Sequence, residues 1–356
     1  MSQSAADVAS KLRSNLDWLM GNAGPVIRYR TATELMEDPN AENNESLKKA
    51  LIRSEITKYW LDRLRPGLEA KDIHSGRSEA FENVMGKLYE FGLRKDVRLL
   101  NQKTAVFRRW LAKRTHVQSV FDVFYRTILA AFLIMTGCVD DAVTEWALGR
   151  LDTVYPFAKK ADLGDVYVEA DSVPGPYRSY PSINPDLYQL GEMKLPWIHD
   201  LNSFLHAPSI MEDTQLRKKV GVIVDFILKP DYQRLHSSYG LIRVGRKHYV
   251  MGWSIHLPSF FESNYSRSAF AALLLRLDLL SRIQTARHST WFVRAVRMLE
   301  KYRDANGLLS FPCEFMPEKK FGYWVSGSRM ALEGGQRKEK GIKCESTFRF
   351  LKIITK

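Results

Sequence analysis

Apolar positions recur at helical spacing along most of the chain, and in three places the pattern repeats as a hairpin. Residues 81–111, 127–157 and 273–311 each hold an apolar run, a short break and a second amphipathic segment. The breaks fall at 90–96, 136–141 and 282–287. Such recurrence predicts an all-helical array of stacked or ring-closed helix pairs. Further helices are predicted over 7–20, where Val8, Leu12, Leu16 and Leu19 share one side, over 26–36 after Pro25, and over 45–64 and 78–91. Gly92 sits where a left-handed helix end is wanted. Later helices are predicted over 198–205, 212–228, 266–283, 289–302 and 345–354.

The middle of the chain breaks this rhythm. Residues 155–196 hold Pro174, Gly175, Pro176 and Pro181 close together and read as a long irregular connection with a short strand at 166–168. Residues 241–253 alternate in a way that suits a small two-stranded hairpin turning on Gly245 and Arg246. No low-complexity linker splits the chain, so one helical domain over 1–356, decorated by the Pro-rich insertion, is the expected organisation.

Composition narrows the class. Hydrophobic residues are 45% and charged residues 26% of 356, which fits a globular protein. The longest apolar run, 128–137, is far short of the ~20 residues a membrane helix needs. Residues 1–10 lack a basic stretch followed by an apolar one, and the three cysteines are widely spaced, so a reducing cytoplasm is the expected setting. The net charge of +13 concentrates at 108–114, 243–248 and 319–343. It fits either a solvated basic surface or a surface for an anionic ligand or nucleic acid. No recognised nucleic-acid module accompanies it.

Two segments carry a resemblance. Leu16, Asp17, Trp18 and Leu19 followed by Gly24, Pro25 and the run to Leu35, together with the closing stretch from Ser346 to Ile353, resemble bacterial proteins described as prenyltransferase or squalene-cyclase-repeat-like. These are similar to the terpenoid cyclase and protein prenyltransferase superfamily. The resemblance covers the first ~35 and last ~100 residues best. It implies an α/α toroid, with two rings of helices around a central cavity. The chain departs from the family's chemistry. Val139, Asp140, Asp141 and Ala142 lack the first carboxylate of the cyclases' D-x-D-D motif, and Asp140 and Asp141 fall where a helix N-terminus favours negative charge. The Asp, Cys and His zinc site of protein prenyltransferases cannot be assembled from Cys313, Cys344 and the histidines. Fold is thus expected to carry over without either activity.

Candidate chemistry gathers in two loops. In 187–203, Pro196 should start a helix, which places His199 and Asp200 in its first turn beside Glu192 and Trp197. A histidine next to a carboxylate suits acid–base work; capping by Asp200 and core packing by Trp197 is the plainer alternative. In 237–267, Tyr239 and Trp253 offer aromatic walls, His256 a further acid or base, and Asn264, Arg243 and Arg267 contacts to an anion. A basic surface hairpin is the alternative there. Glu314, Tyr323 and Trp324 suit a lid over a ring mouth, or a basic loop.

These residues point to a ligand-binding protein or enzyme that uses the toroid cavity. The expected ligand is a small, partly apolar anion, isoprenoid-like in one version. His199, Asp200 and His256 would do metal- and cofactor-independent proton chemistry, while Glu192, Trp197, Tyr239, Arg243, Trp253, Asn264 and Arg267 bind. The alternative is a basic helical scaffold for nucleic acid or an acidic protein partner.

Overall fold

A computed structural model describes residues 5–36, 40–113, 117, 119–169, 173–262, 265–334 and 338–356. The chain is mostly helical, 61% helix against 5% strand. None of its described helices is long and apolar enough to cross a membrane. It groups into two compact units. The first comprises Met1–Gly67, Ser75–Lys103 and Phe261–Lys356; the second comprises Leu68–His74 and Thr104–Phe260.

The first unit opens with α1 (Ala5–Asn22), α2 (Pro25–Arg30), α3 (Ala41–Arg53) and α4 (Glu55–Arg63). The short α5 (Ala70–Ile73) belongs to the second unit and α6 (Phe81–Glu90) to the first, and the chain leaves the first unit along α7 (Arg98–Ala112). The second unit continues with α8 (Val120–Met135), α9 (Asp141–Lys160), β1 (Tyr167–Val168) and β2 (Ser182–Ile183). It closes with α10 (Ile198–His206), α11 (Pro208–Met211), α12 (Thr214–Ile227), α13 (Pro230–Gln233), β3 (Leu241–Val244) and β4 (Lys247–Val250). The first unit resumes with α14 (Arg267–Leu280), α15 (Gln284–Arg287), α16 (Thr290–Glu300) and α17 (Glu339–Ile354).

The predicted hairpins appear as helix, turn, helix, and three boundaries differ for local reasons. The helix expected over 45–64 is two helices, because Ser54 is extended and accepts from the Thr57 amide (3.4 Å), starting α4 afresh. The helix expected over 26–36 widens after Arg30 into a π turn, Thr31–Leu35. The irregular connection starts at Ala161 rather than 155. Burial of Val154 and Ala158 holds α9 helical through Pro156 to Lys160, and Ala161 then closes it in the left-handed region (φ 53°).

In the second unit α8 is the central helix. It packs on α9 and α10, and α9 packs on α12. The expected hairpin pairs Leu241 with Val250 and Val244 with Lys247, turning at Gly245 (φ 60°). It is part of a four-stranded sheet in the order β1-β2-β3-β4, with β2 and β3 parallel and the other pairs antiparallel.

The first unit is built around α6 and the inner stretch of α17. Every residue of α6 is buried, including Glu82, Asn83, Lys87 and Glu90. Residues 344–353 of α17 are likewise buried, including Glu345, Arg349 and Lys352. Gly86 lies mid-helix because a Cβ there would run into the Trp324 ring. Trp324 is thereby core, its amide donating to Asn83 Oδ1 (2.7 Å), and does not form the lid suggested by the sequence.

Charges inside this unit are matched to one another. Arg349 reaches Glu90 Oε2 (2.7 Å) with Nη2 and Glu345 Oε1 (2.9 Å) with Nε. Arg30 holds Glu34 with two parallel bonds (2.8 and 2.7 Å) and donates to the Glu90 carbonyl (2.6 Å). Lys87 donates to Glu318 (3.1 Å) and to the carbonyl of Ala331. Burial alone would raise the Glu34 and Glu90 carboxyls; Arg30 and Arg349 with Lys352 overcome it and hold both below the usual range.

Two outcomes follow from this interior. Arg349→Met strands two buried carboxylates and should cost about 3–5 kcal/mol in urea unfolding; adding Glu90→Gln and Glu345→Gln should recover part of it. A loss under about 1 kcal/mol would mean the network is not holding α6 to α17. The depressed carboxyls make the native state bind fewer protons than the unfolded chain in acid. Their stabilisation is complete above about pH 4–5 and lost as pH falls through the native values, so Tm should drop steadily below about pH 4.

Candidate functional site

The sequence clusters of the second unit are brought together in part. Trp253 and His199 are neighbours, ring centroids 6.1 Å apart, with Phe124 and Phe132 also against His199. Trp253 Nε1 donates to His74 Nε2 (3.1 Å), a partner the sequence did not suggest. His199 and Asp200 are fully buried in the first turn of α10. Both Asp200 oxygens are engaged: Arg150 binds them in a two-pronged pair (2.9 and 2.9 Å), and the Trp197 amide donates to Oδ2 (2.9 Å). Asp200 therefore caps α10 and neutralises Arg150, whose guanidinium also lies over the buried Trp197 ring (5.3 Å).

Tyr239 is buried and donates to the Pro196 carbonyl (2.6 Å), while its oxygen also meets Tyr232 Oη (2.5 Å). Burial, with Tyr232 beside it, drives its phenol far above the usual range. His256 bridges Ser254 Oγ (2.7 Å) and the Leu235 carbonyl (2.8 Å). Glu192 and Arg243 are exposed. Arg267 lies in the first unit, exposed and 4.0 Å from Glu314. Asn264 lies outside the described residues. The described residues include no group of three His, Cys, Asp or Glu placed to hold a metal.

A different site stands in the first unit. Lys and Arg exceed Asp and Glu by one in the second unit and by twelve in the first. There α15, α16 and the end of α17 enclose an open cleft of about 760 Å³. Phe292, Val293, Val296, Ile353 and Ile354 supply its apolar wall, and Arg282, Arg287, His288, Arg297 and Lys356 its polar one. Among the described residues, no carboxylate side chain lines it, and Arg287 and Arg297 make no ion pair. A second hollow of about 600 Å³ shares His288, Val293 and Arg297 and adds Arg294 and Lys301.

Local sequence explains the cleft. Ser281 ends α14, Ile283 tucks into the core, and the single turn of α15 leads to Ser289, which caps α16 by accepting from the Phe292 amide (3.2 Å). Two short turns thus present Arg282 and Arg287 on the same side as the exposed Val293 and Arg297 of α16. At the inner end, Asp278 of α14 accepts from Lys352 (2.7 Å) and Lys356 (2.6 Å). Arg282 donates only weakly, to Tyr89 Oη (3.4 Å), and its buried Nε has no hydrogen-bond partner among the described residues. Burial would raise Asp278; Lys352, Lys356 and Arg282 hold it well below the usual carboxylate range. Burial takes Lys356 the other way, to about 8, because Lys352 and Arg282 repel it and one shared carboxylate does not offset both effects.

Neither sequence cluster includes this cleft. Arg282 and Arg287 fall in the break at 282–287, which reads along the chain only as a turn. The signal present was four arginines and a histidine between 282 and 297 with no Asp or Glu among them. Comparison with known proteins finds no match, whether to a protein family, a curated protein or a solved structure.

For the second unit, Asp200→Ala should cost about 3–5 kcal/mol by leaving Arg150 buried without its carboxylate, with Arg150→Met restoring part of the loss. Unchanged thermal unfolding in Asp200→Ala would refute this structural role.

Proposed function

We propose that this protein binds a partly apolar anion in the α15–α16 cleft. One observation carries the reading: cations without carboxylates face a continuous apolar wall, in a volume suited to a small ligand. Guanidinium groups recognise phosphate, sulfonate or carboxylate heads, and the wall takes a hydrocarbon. An isoprenoid-like chain is one such hydrocarbon, and the resemblance to prenyltransferase-like proteins supports it. The α/α toroid implied by that resemblance stays part of this proposal, supported by the helix pairs α8–α9 and α9–α12. The occupied state of Asp200 favours binding over acid–base catalysis at His199.

Calorimetric titration tests the reading. Submicellar decyl phosphate and decanesulfonate should bind at a single site and raise Tm, decanol should do neither, and Arg287→Gln with Arg297→Gln should weaken binding about tenfold. Absence of any saturable binding at low salt would end the proposal.

A second reading rests on the charge of the first unit, twelve units in excess. The flank of α16 bearing Arg294, Arg297 and Lys301 would then meet nucleic acid or an acidic protein. Retention of a single-stranded oligonucleotide that falls steeply with log salt supports it; no retention at low salt rejects it.

A further inference from the structure

We propose that the open edge of β4 docks an acidic, extended segment of a partner protein, which adds to the sheet as a further strand. This edge belongs to the second unit and is independent of the cleft.

Backbone hydrogen bonding marks the place. The turn at Gly245 and Arg246 closes on the pair Val244 and Lys247, and bonds in an antiparallel ladder fall at alternate pairs. Ile242 and Tyr249 therefore exchange the next bonds, and Met251 donates to the Gly240 carbonyl (2.9 Å) in the same rhythm. The residues in between point their N–H and C=O groups outward. On β3 these are Leu241 and Arg243, and both amides are taken. Leu241 donates to the Pro181 carbonyl (2.8 Å) and Arg243 to Tyr188 Oη (3.0 Å). On β4 they are His248 and Val250. β4 ends the sheet, and among the described residues nothing accepts from either amide. A strand laid beside β4 would meet an N–H and a C=O from each.

Charge and apolar surface select the occupant. Arg243, Arg246 and Lys247 are exposed, and the chain holds no Asp or Glu from 233 to 261. Opposite charges attract across neighbouring strands. Tyr249 and Val250 are 36% and 39% exposed and point to opposite faces, so apolar residues on either face of an added strand find contact. The Phe121 ring extends the Tyr249 side (4.9 Å). The same cations repel a second copy of this edge. A nucleic-acid strand would answer the cations but has no peptide groups to continue the ladder. The hairpin is also held ready. Tyr239 and Trp253, at its base, are fixed in left-handed backbone by bonds to the Pro196 carbonyl and from the Ile198 amide. Ordering on docking then falls on the partner segment alone.

Two measurements on the full chain test the edge, with an octapeptide alternating glutamate and valine as probe. Hydrogen exchange followed by NMR should show His248 and Val250 amides that exchange fast in the free protein and about tenfold or more slowly with saturating peptide. The Tyr249 amide, already bonded to Ile242, should not change. Fluorescence anisotropy should show binding that weakens about tenfold when glutamine replaces glutamate in the peptide. Val250→Pro removes only an outward amide and should weaken binding by a similar factor. Arg246→Glu with Lys247→Glu should abolish binding of this peptide and create binding of one alternating lysine and valine. Arg287→Gln with Arg297→Gln, in the cleft, should leave peptide binding unchanged. If Val250→Pro does not fold, the exchange pattern and the charge reversal decide. Peptide binding without slowed exchange at His248 and Val250 overturns the edge, as does no binding at low salt. Slowing that appears with rising protein concentration and no peptide assigns the edge to a second copy and overturns the acidic partner. Equal slowing by a thymidine decanucleotide overturns it in favour of nucleic acid.

Discussion

The link between Arg349 on α17 and Glu90 on α6 fixes the interior of the first unit. All of α6 and residues 344–353 of α17 are buried, so neither stretch can turn its charged residues to water. Each buried charge then needs a partner, because an isolated one costs several kcal/mol. Arg349 spans Glu90 and Glu345, and Arg30 joins through the Glu90 carbonyl and its own pair with Glu34. A shift of α6 along α17 by one turn would separate these groups. The register of the central helices is thus set by ion pairs as much as by apolar packing. The same requirement accounts for Lys87, sheltered among the Ala331 and Arg329 carbonyls and Glu318.

The cleft lies where this matching stops. Moving outward along α17 from Arg349, carboxylates meet their cations until Asp278, where three cations converge. The bent path of 281–289 then sets arginines beside Val293 and Val296, so the excess charge and the apolar wall share one opening. The second unit has a smaller version of the problem: Arg150 and Asp200 cancel between α9 and α10, and a helix N-terminus takes the remaining bond. Its aromatic cluster around His199 is close-packed. Tyr239 and Trp253 adopt left-handed backbone (φ 61° and 60°) that bulky residues rarely take. Hydrogen bonds hold both: Tyr239 through Pro196, and Trp253 through its carbonyl to the Ile198 amide (3.0 Å).

Much of the architecture was legible in the pattern of apolar residues. The helices on either side of each predicted break, the Pro25 start, the Gly92 helix end and the Gly245 turn follow from periodicity and local backbone preference, while of the expected pairs α8 and α9 are the ones that pack on one another. Boundaries slipped where a competing local interaction intervened, as with the Ser54 cap. The two sequence clusters meet where the Trp253 and His199 rings lie 6.1 Å apart, a contact that spacing along the chain does not contain. The state of Asp200 was open between capping and catalysis, because spacing cannot show Arg150 arriving from fifty residues away.

The cleft was hidden for a related reason. Its residues come from 281–297 and 353–356, and neither segment alone is distinguished from a basic surface. By itself the chain determined its helices, its hairpin and its surplus of positive charge, since these depend on neighbours within a few positions. Tertiary structure alone decided which charges would be cancelled and which left facing a cavity. Coulombic pairing acts through space between groups such as Glu90 and Arg349, and a linear order does not contain those distances.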